Sequence, residues 1–456
     1  MTDAYDVLVI GGGPVGACVG AALLVQGAGR GAAGRRTATP FRVAVLEPSR
    51  PQMPARDSPV DPRVVAVSRS SERILVAAGA WDRISAAVSV GARAPADAVK
   101  AVSEVSPTGA RTTVGAALAD GVTASVPRLN PYERMRIWHE SVAPGSSGAL
   151  VFDAADVGEP NLGYILENRV LQAALLDTFE AAGGIIEPAQ FVGLRIETDA
   201  VRVETTNGTL AARLVIGADG AQSSVRQAVG LAADASDYRQ TAIVATVATE
   251  RPHEKTAWQR FMRDGTLAFL PLADGTTSIV WSADNDVASV LLCGSPTDFA
   301  AELDRASDGA LGATRLVSER ASFPLRRLAA HHYVAQRVAL VGDAAHVVHP
   351  LAGQGVNLGL LDAAALAQLL LDAHQEREDP GALRVLRQYE RWRKSEVAFM
   401  SSAIDTFDRF LAHGRGPLSK LAQRGLGWVN RSQELKRFFI ARALGTEGEL
   451  PRVAKR

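Results

Sequence analysis

Residues 5–16 read YDVLVIGGGPVG, and this stretch decides the fold. The apolar run Tyr5–Ile10, rich in β-branched residues, predicts a buried parallel strand. Gly11, Gly13 and Gly16 follow in Gly-x-Gly-x-x-Gly register, and an Ala/Val/Leu-rich helix comes next. These glycines permit a tight turn, a close approach to a pyrophosphate and close helix–strand packing. The stretch predicts a dinucleotide site, although a glycine turn without a ligand gives the same pattern.

A second apolar run, residues 42–46, ends at an acidic residue, Glu47. In dinucleotide-binding folds an acid at this place binds a ribose hydroxyl, so Glu47 is a candidate for that role. Its distance from the glycines exceeds the usual spacing of about 20 residues. A surface insertion over the Gly/Ala/Arg-rich residues 27–40 accounts for the excess.

Two further apolar runs end in an aspartate. The first ends in Asp219 and follows a hairpin that is predicted to turn at Asn207-Gly208 as type I′. The second ends in Gly342-Asp343. Open α/β sheets bind ligands at the carboxyl ends of strands, so both aspartates are candidates, Asp343 for a sugar or ribitol hydroxyl. For Asp219, a helix cap in a tight turn explains the pattern equally well.

A Pro/Gly-rich loop, residues 349–355, follows Asp343 and precedes a helix predicted over residues 360–371. A helix N-terminus favours negative charge, and a reduced isoalloxazine ring carries such charge. A phosphate-binding loop is the rival explanation, but the segment contains no Gly-Lys-Ser/Thr. The third motif therefore points to a flavin.

The three motifs, in this order, resemble those of the flavoprotein aromatic hydroxylases of the p-hydroxybenzoate hydroxylase type. Residues 349–362 resemble the signature of the ubiquinone-biosynthesis hydroxylases, with Val356 as a mild departure. The segment around Trp138 is more similar to the members that hydroxylate later ring positions. The similarity covers nearly the whole chain and includes residues 61–71, 131–138, 162–168, 257–261, 270–272, 278–281 and 389–394.

The resemblance implies roles for individual residues. The ADP part of FAD is expected to be held by Gly11, Gly13, Gly16 and Glu47. Asp343, after Gly342, is expected to bind the ribitol, and Arg63 to lie near the cofactor. Asp219 belongs to a motif that the family links to both FAD and the pyridine nucleotide. The flavin ring is expected to be lined by the backbone of Gly353, Gly355 and Asn357.

The implied reaction is hydroxylation of the aromatic ring of a polyprenylated phenol or quinol in ubiquinone biosynthesis. No side chain activates dioxygen, so FAD is expected to do so as a flavin hydroperoxide, with NAD(P)H or another reductase as electron source. His349 is expected to hold the substrate hydroxyl or relay a proton, or else only to order the loop. Two alternatives stay open: a same-fold hydroxylase of a soluble aromatic compound, and a flavin-binding scaffold of a quinone-synthesis complex.

The predicted fold class is α/β, with a doubly wound FAD-binding Rossmann-type domain, an antiparallel-sheet substrate domain and C-terminal helices. The FAD-binding domain is expected to comprise residues 1–85, 162–238 and 325–370. The substrate domain takes residues 86–161 and 239–324, and the C-terminal helical region residues 371–456. Four aromatic residues are expected either to wall the substrate site or to belong to the core: Trp258, Phe261, Phe269 and Trp281.

Composition excludes several function classes. The chain has 456 residues with 49 Lys+Arg and 49 Asp+Glu, so bulk attraction to nucleic acid is not expected. Two cysteines, Cys18 and Cys293, cannot form a disulfide framework, and no Cys-x-x-Cys or His-Glu-x-x-His predicts a metal site. The sequence contains no second Gly-x-Gly-x-x-Gly after a strand, so a separate nicotinamide domain is not expected.

Residues 409–442 combine many Arg and Lys residues with regularly spaced Leu, Phe and Trp. This pattern is typical of a basic amphipathic helix. Its apolar face is expected to pack on the FAD-binding domain or on a second subunit, with contact to the membrane or to a quinone-synthesis complex as the alternative. The expected location is the cytoplasm, either free or peripheral on the inner membrane.

Overall fold

The computed structural model describes residues 4–28, 41–55, 58–87, 128–348, 354–411 and 448–455, with the backbone alone for residues 354 and 403–411. From the N-terminus the elements are β1 (Tyr5–Ile10), α1 (Pro14–Gly27), β2 (Val43–Leu46), β3 (Val64–Ser68), α2 (Arg69–Ala77), α3 (Trp81–Ala86), β4 (Leu129–Tyr132), β5 (Arg134–His139), β6 (Leu150–Asp153), β7 (Gly163–Glu167), α4 (Asn168–Ala181) and β8 (Ile185–Glu187).

The next elements are β9 (Phe191–Ile196), β10 (Val201–Thr205), β11 (Gly208–Gly217), α5 (Ser224–Ala228), β12 (Ala233–Thr249), β13 (Thr256–Met262), β14 (Gly265–Pro271) and β15 (Thr277–Asp284). The described chain ends with α6 (Asn285–Cys293), α7 (Pro296–Ala306), β16 (Thr314–Leu316), β17 (Ala321–Ala330), β18 (Val334–Ala335), β19 (Val338–Leu340), β20 (His346–Val347), α8 (Gln354–Gln375) and α9 (Leu383–Leu411).

The first sheet has the order β18-β19-β11-β1-β2-β8 and is parallel from β19 to β8. Strands β1, β2 and β19 are short, apolar and almost fully buried, as expected for a parallel sheet with covered faces. β9 and β10 extend β11 as an antiparallel hairpin. The strands predicted before the three motifs are present, and the predicted α/β fold class is confirmed.

The hairpin between β10 and β11 differs in detail from the prediction. Thr205 pairs with Gly208, so the two-residue turn consists of Thr206 and Asn207. A type I′ turn needs positive φ at both central residues, and neither of these two described residues has it. The positive φ of 130° falls on Gly208 instead. The hairpin prediction was correct, whereas the predicted turn position and type were wrong.

The second sheet has the order β20-β17-β12-β15-β14-β13-β5-β6, and its ladders are antiparallel except for β13 with β5. Its two faces differ. α6 and α7 cover the outer face, where they form a core with alternate residues of β12, β14 and β15. The inner face, formed by the intervening residues, packs against a small sheet of order β3-β7-β4. An antiparallel sheet in this part of the chain was predicted.

β12 is a continuous strand of 17 residues. Residues 233–237 pair with the end of β17, and residues 241–249 pair with β15, β16 and the start of β17. The register shifts between Asp237 and Thr241, where Arg239 has a φ of 56°. The predicted domain boundary at residue 238 thus lies inside a strand, and the one at residue 370 inside α8. The division into six segments stays a proposal.

Residues 355–375 of α8 have the length and hydropathy of a membrane span. However, 78% of the apolar window is buried inside the protein. Its apolar side chains join those of α1 and of the parallel sheet in one core. Burial of this kind is typical of a core helix, so the hydropathy of α8 has an explanation within the fold.

Gly20 tests the packing of α1. Replacement of a helical glycine by alanine usually stabilises a helix by about 1 kcal/mol. Here a Cβ would lie 2.9 Å from the Phe179 ring and 3.3 Å from Val45. We therefore expect Gly20→Ala to destabilise the protein by about 1–3 kcal/mol in thermal unfolding. Gly145→Ala, where a Cβ would meet no atom within 4 Å, is the control and should change stability little; equal effects of the two substitutions would contradict this packing.

Candidate active site

Four adjacent parallel strands end at the same edge of the first sheet. Backbone hydrogen bonds continue just beyond the strand ends. The Gly11 N–H donates to the Leu46 carbonyl at 3.0 Å, and the Ala218 N–H donates to the Ile10 carbonyl at 2.8 Å. The turns after β1, β2, β11 and β19 therefore lie side by side at what we call the carboxyl edge. It carries the predicted residues Gly11, Gly13, Gly16, Glu47, Asp219, Gly342 and Asp343.

The three glycines of the first turn are required for different reasons. Gly11 has a φ of 103°, and a Cβ there would lie 2.5 Å from the Ala218 carbonyl oxygen. A Cβ on Gly16 would overlap the carbonyl oxygen of Gly11. At Gly13 a Cβ would meet no atom within 4 Å. Protein packing thus explains Gly11 and Gly16, whereas the open space at Gly13 fits the pyrophosphate of a dinucleotide.

Glu47 contacts the glycine turn directly. Its Oε2 accepts a hydrogen bond from the Gly12 N–H at 2.9 Å, and its Oε1 accepts one from the Ser49 N–H at 3.1 Å. On the other side of the turn, Gln172 Nε2 donates to the Gly12 carbonyl at 3.0 Å. The carboxylate lies where the ribose next to that pyrophosphate is bound in this fold. Its position fits the predicted role in holding the ADP part of FAD.

The two carboxylate oxygens of Asp219 have different environments. Oδ2 accepts a hydrogen bond from the Val225 N–H in the first turn of α5 at 3.1 Å, as the helix-cap explanation predicts. Oδ1 is buried and has no hydrogen-bond partner among the described residues. A buried oxygen without a partner is costly, so this atom fits a hydrogen-bond donor on a ligand. The helix-cap explanation thus holds for Oδ2, and contact of Oδ1 with the cofactor stays a prediction.

Asp343 lies in a short 3-10 turn directly after β19. Its side chain is open to solvent on one side, while surrounding protein atoms raise the pKa of its carboxyl. Nearby, His346 lowers that pKa and Asp362 raises it. An accessible carboxyl on the wall of a protein cavity can accept a hydrogen bond from a hydroxyl group. This position fits the predicted contact with the ribitol of FAD.

A buried ionic cluster supports the turn that carries Asp343. Asp362 Oδ2 accepts a hydrogen bond from the Gly342 N–H at 3.0 Å and lies 2.6 Å from His346 Nε2. Its Oδ1 accepts one from Arg393 Nε at 2.7 Å. Burial would raise the pKa of Asp362, but His346 and Arg393 together hold it below its usual value. The ionised carboxylate therefore fixes the position of the Gly342 turn.

Arg226 joins the second motif to the third. Its Nη1 donates to the Ala344 carbonyl at 2.8 Å, and its Nη2 donates to the Ala221 carbonyl at 2.9 Å. Burial lowers the pKa of this guanidinium, and the neighbouring Asp219 raises it. Sequence reasoning assigned no role to Arg226, Asp362 or Arg393, although all three lie in segments that carried the resemblance.

The start of α8 is held against β3 by Asn357. Its Oδ1 accepts a hydrogen bond from the Ser68 N–H at 2.9 Å, and its Nδ2 donates to the Ala66 carbonyl at 2.8 Å. The buried side chain thus has a structural role, and contact of its backbone with the flavin stays a prediction. Gly355 is exposed, with no atom within 4 Å of a Cβ built there.

Arg63 is not brought into this arrangement, and two further predicted residues fall outside the described part of the chain. Arg63 precedes β3, its side chain is exposed, and its carbonyl accepts a hydrogen bond from the Asn168 N–H at 3.0 Å. His349 and Gly353 lie outside the described residues. The roles of all three stay predictions. No group of three or more His, Cys, Asp or Glu side chains that could hold a metal occurs in the described part of the chain.

The four candidate aromatic residues divide between the two faces of the second sheet. Trp258, Phe269 and Trp281 pack on the outer face with α6 and α7, so they belong to the core there. Phe261 lies on the inner face, in a cluster with residues such as Leu162. Of the two expectations, membership of the core holds for the first three, because strand alternation directs them away from the inner face.

Residues 168–400 match the family model described as an FAD binding domain. Ubiquinone hydroxylase UbiL of Rhodospirillum rubrum is 39% identical over 308 residues, or 67% of this chain and 72% of that protein. The 3-demethoxyubiquinol 3-hydroxylase of Escherichia coli is 32% identical over 443 residues, or 96% of this chain and 98% of that protein. The chain belongs to the FAD-dependent hydroxylases of ubiquinone biosynthesis. The family, the FAD cofactor and the oxidoreductase class predicted from the sequence are confirmed.

A solved structure supports the fold of the hydroxylase. The p-nitrophenol 4-monooxygenase PnpA of Pseudomonas putida superposes with a TM-score of 0.68 over 98% of this chain and 100% of that chain. The two sequences are 18% identical, so this similarity concerns the fold alone.

Gly13 tests whether the open space at the first turn belongs to the cofactor. Gly13 has a φ of −59° and a ψ of 173°, which alanine adopts without strain. We expect Gly13→Ala to leave the unfolding temperature of the apoprotein nearly unchanged and to weaken FAD binding about tenfold or more, because the methyl group fills the pyrophosphate space. Flavin fluorescence titration measures the affinity. Unchanged FAD affinity in a folded variant would remove this turn from the site.

Asp362 provides a test of the ionic cluster. Asp362→Asn leaves Arg393 buried without a counter-charge, so we expect a loss of about 3–5 kcal/mol in urea unfolding at pH 7. The pKa of Asp362 is lower in the folded state than its unfolded value of about 3.9. The ionised carboxylate therefore stabilises the fold above about pH 3.9, and this contribution is lost as the pH falls through the folded-state pKa. The difference from wild type should shrink below about pH 4. Asp199→Asn, at a side chain that is 96% exposed, is the control.

Proposed function

We propose that this hydroxylase adds one oxygen atom of O2 to the aromatic ring of a polyprenylated phenol or quinol intermediate of ubiquinone biosynthesis. The observation that carries the proposal is that β3, to which Asn357 of α8 is hydrogen-bonded, packs against the inner face of the second sheet, which brings that apolar face close to the carboxyl edge. The E. coli relative, matched over 98% of its length, is named for hydroxylation of 3-demethoxyubiquinol, which supports a substrate of this class.

Bound FAD, once reduced by NAD(P)H or another reductase, supplies the reaction with O2 that no side chain can provide. The residues of the chain bind and orient it. The glycine turn and Glu47 would hold the ADP part, and Asp343 would accept a hydrogen bond from the ribitol. Backbone N–H groups at the start of α8 would favour negative charge on the ring.

The residues at the inner face exclude water from the reaction. Phe261, Ile137, Leu150 and Leu162 form a buried apolar cluster there, with Val348 packed against it. Val348 directly precedes the loop that is expected to line the flavin. A dry cavity at this place keeps the activated oxygen from being lost as hydrogen peroxide before it reaches the ring.

Association with a membrane, a quinone-synthesis complex or a second copy belongs to the same proposal. It rests on the basic and apolar residues 409–442, of which the structure describes only the backbone of residues 409–411. An isoprenoid substrate is found in the membrane, and a basic amphipathic segment binds anionic membrane surfaces. We propose a cytoplasmic enzyme that reaches its substrate at the inner membrane surface.

Quinone profiling of a deletion strain tests the proposed function. We expect a prenylated intermediate that lacks one ring hydroxyl to accumulate, and its mass together with its NMR spectrum identifies the ring position. Wild-type protein should restore ubiquinone, whereas Asp343→Ala should restore less than about a tenth, because the ribitol loses its hydrogen-bond acceptor. Asp199→Ala is the matched control and should complement fully. A normal quinone profile in the deletion strain would favour the hydroxylase of a soluble aromatic compound.

A further inference from the structure

Gln259 is a buried polar residue on the inner face of β13. Its side chain is 3% exposed, and none of the hydrogen bonds in the described residues uses its amide group. Its neighbours on the strand, Trp258 and Arg260, face the opposite side, toward α7. Buried side-chain amides normally have hydrogen-bond partners, so an amide without one indicates a partner that is not part of the protein.

The strand register places this amide beside an uncovered part of the sheet. Gln259 pairs with Ala268, Ala268 with Val280, and Val280 with Val244. These four residues form one row across the inner face. Ala268 and Val280 lie on central strands but stay partly exposed. A central position stays partly exposed only where neighbouring side chains leave part of it uncovered, so an open space is expected over Ala268 and Val280, next to the cluster against which Val280 packs.

Tyr132 belongs to β4 of the small sheet that packs against this inner face. It packs against two apolar clusters, one that contains Phe261 and one that contains Ala257, and these two residues flank Gln259 on the inner face of β13. Gly163, with a φ of 151°, has no side chain to displace the ring, and a Cβ there would lie 3.3 Å from the Tyr132 hydroxyl.

The hydroxyl of Tyr132 is also free to bind a ligand. No hydrogen bond in the described part of the chain uses it, although the ring is partly buried. Burial raises the pKa of Tyr132 to about 12, so the group stays protonated throughout the physiological pH range. It therefore serves as a hydrogen-bond donor, whereas the Gln259 amide can both donate and accept.

We propose that the Gln259 amide and the Tyr132 hydroxyl bind the oxygen substituents of the substrate ring, which lies over Ala268 and Val280. The inference rests on the proposed function and names the two side chains that orient its substrate. Ala268 and Val280 are small enough for a flat ring to lie over them. The Gln259 amide and the Tyr132 hydroxyl favour a ring that carries oxygen substituents. A plain prenylated benzene leaves both groups unpaired and is rejected.

The test uses the FAD-loaded full-length enzyme with two probes, a diprenyl 3-demethoxyubiquinol and a diprenyl phenol. Gln259→Leu keeps the side-chain volume and removes the amide. We expect it to raise the Kd of the better probe about tenfold or more, measured from the change in flavin absorbance. The share of NAD(P)H oxidation that ends as hydrogen peroxide should rise as well, because a misplaced ring does not capture the oxygen.

Trp258→Phe is the matched control, since it changes the adjacent residue of the same strand on the outer face. Trp258 Nε1 has no hydrogen-bond partner among the described residues, so its loss breaks no bond. We expect this control to bind the probe with the wild-type Kd and to release no more hydrogen peroxide than the wild type. Tyr132→Phe removes a single oxygen atom and is the second variant, which keeps the test valid if Gln259→Leu does not load FAD. We expect it to raise the Kd of the probe and to increase the release of hydrogen peroxide.

The outcomes separate the two proposals. If the wild-type enzyme hydroxylates a probe and both Gln259→Leu and Tyr132→Phe bind and couple it like Trp258→Phe, this inference is overturned and the proposed function stands. If the wild-type enzyme hydroxylates neither probe, the proposed function fails, and the assignment of these two side chains fails with it.

Discussion

The cofactor edge depends on one buried carboxylate, that of Asp362. It belongs to α8, yet it accepts hydrogen bonds from the turn after β19 and from α9, and it contacts the imidazole that begins β20. Away from water such a charge is tolerated only when its partners compensate the lost hydration. His346 and Arg393 do so, which fixes the relative positions of two helices and of the strand that presents Asp343. The geometry offered to the ribitol therefore depends on a residue that does not touch it.

Local signals explain what could be predicted from the sequence. The glycine register at Gly11–Gly16 reflects contacts within one strand–turn–helix unit, and each apolar run before an acid marks one buried strand. Because parallel strands end at a common edge, the strands alone imply that Glu47, Asp219 and Asp343 lie together. The hairpin before β11 was also recognised, but its turn shifted by one residue because Gly208 pairs with Thr205 instead of entering the turn.

Contacts between distant segments explain what could not be predicted. Arg226 and Ala344 are separated by 118 residues, and nothing in either segment indicates that a guanidinium joins them. Alternation along β13 places Trp258 and Phe261 on opposite faces, but only the path of α6 and α7 determines which face becomes core. Gln259 lies in segment 257–261, which carries the resemblance, but that segment does not indicate that its amide lacks a partner. The sequence supplies the residues of the cavity, and the topology decides which of them border it.

The long β12–β17 ladder has a mechanical consequence for substrate access. A flexible linker between two halves of an enzyme permits a large swing at little cost, whereas a paired ladder resists bending within its plane and yields mainly by twisting. Since β12 runs unbroken from the end near the parallel sheet to the row that contains Val244, any opening of the cavity must strain paired backbone or occur in segments outside this ladder. The shift at Asp237–Thr241, where the pairing is interrupted, is the most compliant point of the connection. The ladder therefore limits how far the two sheets can move relative to each other.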